Sequence, residues 1–324
     1  MKKLLLNQLF ILLTKSSILV GGQAVIEGVM MRVPGFISTA VRNPDGEIIV
    51  KRKEFNSLIH KRPSFNIPIV RGAISLFEAM KIGFKTLQWS AEIAFPEENN
   101  KSNKLIDFFM TAISIFFAFS LFIFLPLGFT SWIFNAEQDP ILFNIIAGVV
   151  RISVFLIYLF IISKTKDAKR LFQYHGAEHK VVYTFENGDN LDIENSSKYP
   201  TQHPRCGTSF MFIVMLVAIL SFMVIDRLFI DIFGYITLLH RFILHIVFIP
   251  FVSGLGYEIL KFSSNYQQNI VLKYFIKPGL WLQNITTQNP DDNQLEVSLE
   301  ALKSAFGDTL KTYHGKKHIA DAIG

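Results

Sequence analysis

The sequence predicts a mainly α-helical, polytopic membrane protein. It has four transmembrane helices in two hairpins, a small cytosolic α+β unit at the N-terminus and an amphipathic helix near the C-terminus. Three observations carry this prediction. Half of the 324 residues are hydrophobic and 32 of them are Phe, and the mean hydropathy of +0.35 is high for a soluble domain of this length. The apolar residues are gathered in blocks long enough to cross a bilayer. Between the blocks, shorter stretches carry the alternation of strands and the 3.6-residue period of helices.

Residues 1–103 form the cytosolic N-terminal unit. The opening "MKKLLLNQLFILLTKSSILVGG" has Lys2 and Lys3 before an apolar run from Leu4 to Leu13. That run contains Asn7 and Gln8, stops at Lys15 and lacks a small-x-small cleavage site. Too short to span a bilayer, it reads as an interfacial or buried helix. The stretch "GGQAVIEGVMMR" (21–32) reads as a glycine-rich loop around Glu27 and Arg32. Its glycine spacing fits neither a phosphate loop nor a dinucleotide fold. "FISTAVRNPDGEIIVKRKEF" is two alternating runs around Pro44-Asp45-Gly46, a β-hairpin. Residues 66–96 have helical periodicity, with Ile74, Phe77, Met80 and Phe84 on one face suited to a membrane surface. A polar linker, "PEENNKSNK", follows.

Residues 104–163 form the first hairpin. The span 108–134 is uncharged, and at 1.5 Å per residue it reaches about 40 Å, which calls for tilt or a bend near Pro126. The span 141–163 holds Arg151, whose cost in hydrocarbon predicts an inward-facing side chain with a partner. Residues 164–206 return to the cytosol. The second hairpin, 207–258, pairs a span at 207–225 with one at 236–258 and ends at Glu258. Residues 259–324 form a cytosolic tail, in which Pro290 and Asp291 open a helix with Leu295, Leu299, Leu302 and Phe306 on one face.

Orientation follows from the basic residues. The link at 135–140 has no Lys or Arg, and that at 226–235 has only Arg227, whereas Lys164, Lys166, Lys169 and Arg170 follow span two. Both termini and the middle segment are thus expected on the cytoplasmic side of the membrane. The net charge of +6 belongs to these segments. No stripe of Arg and Lys interleaved with aromatics is present, so nucleic acid is not an expected partner. The expected partners are the lipid bilayer and an unidentified protein partner or substrate, without an oligomeric state being fixed. With one cysteine, Cys206, no intrachain disulfide can form.

The chemistry gathers in the middle segment. "HGAEHK" (175–180) places His175, Glu178 and His179 as H-x-x-E-H, the reverse of the zinc-protease motif. On a helix, imidazoles four residues apart stack on one face and can share a divalent ion at about 2.0–2.1 Å. Glu178 beside them is a ligand or a base for water. Gly176 costs about 1 kcal/mol of helix propensity and admits a close neighbour. "TQHPRCGTSF" adds His203 and Cys206 just before span three, on the same membrane side, whereas Glu186 lies about 10 Å beyond His179 along the helix. Imidazole and thiolate point to zinc. Three of these ligands leave a position for chemistry, and His175, His179, His203 and Cys206 together make a closed structural site. A surface His pair with no metal is the plainer alternative.

The stretches "GGQAVIEGVMMR", "QYHGAEHKVVYTFENG" and "HPRCGTSF" resemble the YqhQ-like family of bacterial membrane proteins (domain of unknown function 1385). So do "PIVRGAISLFEAMKIGFK", "GYEILKF" and "PDDNQLEVSLEALK", and the resemblance runs from about residue 20 to residue 305. It implies a polytopic membrane protein of a group described as predicted metal-dependent enzymes. The positions that match its motifs are Glu27, Arg32, His175, Glu178, His179, His203, Arg205 and Cys206. The expected function is therefore a metal-dependent, hydrolase-type enzyme with a divalent ion, zinc by its ligands, at the cytoplasmic membrane face. The candidate ligands are His175, His179, His203 and Cys206, and the candidate catalytic groups are Glu178, Glu27 and Arg32. The alternative is a membrane scaffold or assembly factor whose polar cluster is structural. A transporter, suggested by Arg151, His240 and Arg241, is disfavoured by four spans without an inverted repeat.

Overall fold

The computed structural model describes residues 18, 20–96, 104–133, 139–265, 270–313 and 315–318. The apolar run at 4–13, nearly all of the linker before span one and most of the link between spans one and two lie outside these residues.

Four antiparallel strands form a meander in sequence order: β1 (Gly21–Val25), β2 (Gly28–Val33), β3 (Phe36–Arg42) and β4 (Ile48–Glu54). The expected hairpin is β3–β4. Its turn is held by Glu47 N–H donating to Asn43 Oδ1 at 2.8 Å, with Gly46 at φ 88°. The stretch 21–32 differs from its reading as a loop. It forms β1 and β2, joined by the two-residue turn Ile26–Glu27 and paired Gly22 with Met31. β2 is covered on both faces, so all its side chains but Arg32 are apolar and it shows little alternation.

After a short helix, α1 (Leu58–Lys61), comes α2 (Val70–Ala94), and then α3 (Lys104–Phe119) runs through a π-helical turn at Ser120–Phe124 into α4 (Leu125–Ile133). Next are α5 (Pro140–Ile162), α6 (Lys166–Asn187), the short α7 (Ile193–Ser197), α8 (Gly207–Phe233) and α9 (Leu238–Asn265). The chain closes with α10 (Ile270–Thr286), α11 (Asp292–Phe306) and the short α12 (Leu310–Tyr313).

Among the described residues, four stretches are long and apolar enough to cross a membrane: Phe108–Ile133, Pro140–Ile162, Met211–Phe233 and Leu238–Phe262. The first turns π-helical at Ser120–Phe124, just before Pro126. Pro126 has no N–H for Phe122 O, its helical partner four residues back, and Arg151 Nε donates to that carbonyl at 3.1 Å. Arg151 thus faces its own hairpin, as expected for a charge in a span. The link expected at 226–235 is a correction. α8 runs on to Phe233 and is closed by Gly234 in the left-handed region, φ 81°, so only residues 234–237 join it to α9. Asp226 is therefore inside a span. It accepts from Asn144 Nδ2 at 2.7 Å, and Arg241 Nε lies 3.6 Å and His245 Nε2 3.4 Å from its carboxylate. These partners let the helix continue through an acidic residue.

The sheet joins the two halves of the molecule. On one face, Val29, Met31, Val33 and Ala40 pack against Val181 and Phe185 of α6 and Leu295, Leu302 and Phe306 of α11. Full burial of each such side chain stabilises by about 1.5–3 kcal/mol before chain entropy is counted. α11 opens with a capping box between Asp291 and Gln294, where the sequence places its start. On the other face, Val25, Met30, Ile37 and Val41 meet Ala94 and Trp89 of α2. α2 also crosses the fourth span, at Gly72 against Gly254, and Arg71 binds Glu258 with both nitrogens at 2.5–2.7 Å. Its remaining face exposes Phe77, Met80 and Phe84.

Candidate metal centre

α6 carries the motif and begins with Thr165 Oγ1 accepting from Ala168 N–H at 3.3 Å. It ends at Gly188 in the left-handed region, φ 76°. From Tyr174 to Phe185 it is almost wholly buried, between the sheet, α11 and the returning 187–202 segment. That segment folds back along the helix. Lys180 Nζ donates to Ser197 O at 2.9 Å and to Tyr199 O at 2.5 Å, and Thr184 Oγ1 donates to Ser196 Oγ at 3.0 Å. Burial lowers the Lys180 pKa, and the two carbonyls satisfy the ammonium that remains.

His175 and His179 are held alike. His175 Nδ1 lies 2.8 Å from Thr286 O, at the end of α10, and His179 Nδ1 lies 2.5 Å from Thr201 O. A carbonyl oxygen only accepts, so each Nδ1 carries the proton and donates, which in the neutral ring leaves the lone pair on Nε2. His175 Nε2 lies 3.2 Å from Cys206 Sγ, and His179 Nε2 lies 3.4 Å from a Glu178 oxygen. Ligand atoms of His175, His179 and Cys206 all fall within 4.8 Å of one another. A tetrahedral zinc site with ordinary bond lengths sets such atoms about 3.5 Å apart. The donor set therefore fits the ion and would close on it by about 1 Å.

Glycine makes two of these approaches possible. A Cβ on Gly176 would lie 2.0 Å from Gln288 O, so only glycine lets the α10–α11 connection, with Thr286, pass so near the helix. A Cβ on Gly22 would lie 2.7 Å from Glu178 Cγ. β1 thus presses its backbone on Glu178, and Gly22 N–H donates to the carboxylate. Burial pushes the Glu178 pKa up to about 7, opposed by the neighbouring His175 and the Gly22 hydrogen bond.

The other sequence candidates take different places. His203 is buried beside His179, with ring centroids 5.5 Å apart, yet its Nδ1 accepts from Arg205 N–H at 3.4 Å and its Nε2 faces Glu186 at 3.5 Å. Burial lowers the His203 pKa, and the Glu186 hydrogen bond opposes this. Burial alone would raise the Glu186 pKa, but His203 and Arg205 hold it below the usual value. Arg205 Nη2 binds Glu186 directly. Gln283, which the sequence did not single out, clamps the His203 peptide by accepting its N–H at 2.7 Å and donating to its carbonyl at 2.9 Å. Glu27 sits at the β1–β2 turn with φ 51°, bound by both Arg170 nitrogens and by Tyr174 Oη at 3.3 Å. It pins the turn to α6, away from the His/Cys cluster. Arg32 lies over the Phe55 ring, 4.5 Å from its centroid, and lines the same cavity as His175 and Glu178. Glu258 is engaged by Arg71, outside the cluster.

The cavity encloses about 560 Å³, which suits a small-molecule ligand. Its walls come from β1, β2, α2, α6, residues 203–206, the start of α8 and Tyr257 of α9.

Residues 67–308 match the family described as "Protein of unknown function (DUF1385)". The chain belongs to that family. It is 32% identical over 305 residues to "Uncharacterized protein YqhQ" of Bacillus subtilis (strain 168), covering 87% of this chain and 90% of the relative. No solved structure matches. The family match takes in His175, His179 and Cys206, while β1 to β4 and Arg32 lie before it.

Proposed function

We propose that this member of the family is a membrane-embedded, metal-dependent hydrolase whose centre is His175, His179 and Cys206, with Glu178 as the proton-transfer group. The observation that carries the reading is the pair of Nδ1–H bonds to Thr286 O and Thr201 O. Such bonds fix the tautomer and the ring angle of metal-ligating histidines and turn Nε2 toward the ion. A zinc ion there would supply Lewis acidity toward a carbonyl or phosphoryl oxygen. The fourth position is left to water and substrate, because His203 is spent on Glu186 and Arg205.

Glu178 faces the cavity beside His179 and is poised near neutral pH. It takes the proton from a water whose oxygen adds to the substrate's acyl or phosphoryl centre. The bond to the leaving group then breaks, and Glu178 returns that proton to the leaving oxygen. The burial of His179 and Cys206 limits the access of bulk water to the site. By the Lys and Arg count of the loops, the site faces the cytoplasm of the bacterial cell.

Metal analysis of the purified full-length protein tests the reading. Wild type carries zinc in proportion to protein, and His179→Ala loses most of it. Equal metal in the two, with none above background in either, overturns it.

A further inference from the structure

The cavity is more than an opening to the metal centre. Gly207, Thr208 and Met211 at the start of the third span and Tyr257 near the end of the fourth form part of its wall. α2 contributes Leu76, Ala79 and Ile82, and the reverse side of that helix exposes Phe77, Met80 and Phe84. The chamber thus lies where the spans leave the membrane, and its lining is largely aliphatic.

Two guanidinium groups reach this apolar space, and they differ. Arg205 is neutralised by Glu186. Arg32 forms no ion pair or hydrogen bond among the described residues; it rests on the Phe55 ring. Glu78 bears on it electrostatically, but the Glu78 oxygens accept from Ser57 Oγ at 2.7 Å and from Leu58 N–H at 2.6 Å. A half-buried guanidinium with no direct ion pair keeps its planar fork of donors free for a carboxylate or a phosphate.

We propose that the chamber binds a membrane amphiphile with an anionic headgroup, the head on Arg32 and the chain along the aliphatic wall of α2 toward the start of the third span. The binding stands on the chamber alone; the fate of the bound molecule rests on the hydrolase reading, for which the amphiphile is the substrate class. The amphiphile enters from the bilayer, and the bond to be cleaved comes to the His175, His179 and Glu178 side of the chamber.

Binding is measured on chelator-treated full-length protein, so the result is independent of metal. Native mass spectrometry from detergent compares oleoyl lysophosphatidate with monoolein, which has a similar chain and no charge. Wild type retains the lysophosphatidate at least about 10-fold more tightly, as expected for charge-assisted hydrogen bonds. Arg32→Gln removes this preference, and Arg32→Lys keeps part of it. Leu76→Trp, which fills the chamber, weakens both ligands. Millimolar inorganic phosphate leaves the bound lysophosphatidate in place. Equal retention of the two amphiphiles by wild type, a preference unchanged in Arg32→Gln, or displacement by phosphate alone overturns the proposal. If lysophosphatidate binds as expected while His179→Ala does not alter metal content, the metal reading fails and the amphiphile site stands.

Discussion

Replacing Gly176 by Ala tests how the fold and the candidate centre are joined. The added Cβ would stand 2.0 Å from Gln288 O, and such atoms are not found closer than 3.0 Å, so the α10–α11 connection must retreat by about 1 Å. That connection is fastened on both sides of the contact. Gln288 N–H donates to Phe172 O at 2.9 Å, and Thr286 O accepts from His175 Nδ1 at 2.8 Å. A retreat of that size carries at least one of these beyond hydrogen-bond range. Alanine improves helix propensity by about 1 kcal/mol. Overpacking costs about 1–3 kcal/mol and each lost hydrogen bond about 1 kcal/mol, so net destabilisation of about 1–3 kcal/mol is expected. Loss of the bond that orients His175 weakens metal binding by about 10- to 100-fold. The assay is zinc competition against a chromophoric chelator, with thermal unfolding of the same detergent-solubilised protein. A Gly176→Ala protein with wild-type zinc affinity and a raised Tm would refute the reasoning.

Two further outcomes concern buried charge. The Glu178 pKa rises from the usual 4.5 to about 7 on folding, so the folded state binds the extra proton. The Glu178 contribution to the stability of the metal-free protein is therefore full below pH 4.5 and is lost as pH rises through 7, by up to about 3 kcal/mol. Glu178→Gln flattens that slope in denaturation measured from pH 4.5 to 8, and an unchanged slope contradicts the assignment. In the spans, Asp226→Ala removes the acceptor of Asn144 and the anion facing Arg241 and His245. A loss of about 3 kcal/mol or more is expected in thermal unfolding, and a Tm within a degree of wild type would show that the cluster is not holding the bundle.

The spans, the β3–β4 hairpin and α11 were legible because each follows one local rule: length of apolar run, alternation about Pro44-Asp45-Gly46, or period behind an Asp291 cap. β1 and β2 were not, because β2 is covered on both faces and alternates little, and because the reason for Gly22 in β1 is a helix more than 150 residues away. Asp226 was taken for a loop residue since its partners, Asn144, Arg241 and His245, are on other helices. In the site, the side chains of His175, Glu178, His179 and Cys206 announced themselves by type and spacing. The groups that hold them did not: Thr201 and Thr286 act through carbonyl oxygens, which every residue has, and Gln283 acts on the His203 backbone.

That division has a physical consequence. Cys206 caps the third span, His175 and His179 sit on a helix buried against the sheet, and the carbonyls that aim them come from the 187–202 return and the end of α10. None of these segments holds the geometry alone. The centre takes shape only when the membrane bundle and the sheet unit are packed on each other. Any ion it binds then stabilises that packing by the same free energy with which the packing prepares the site.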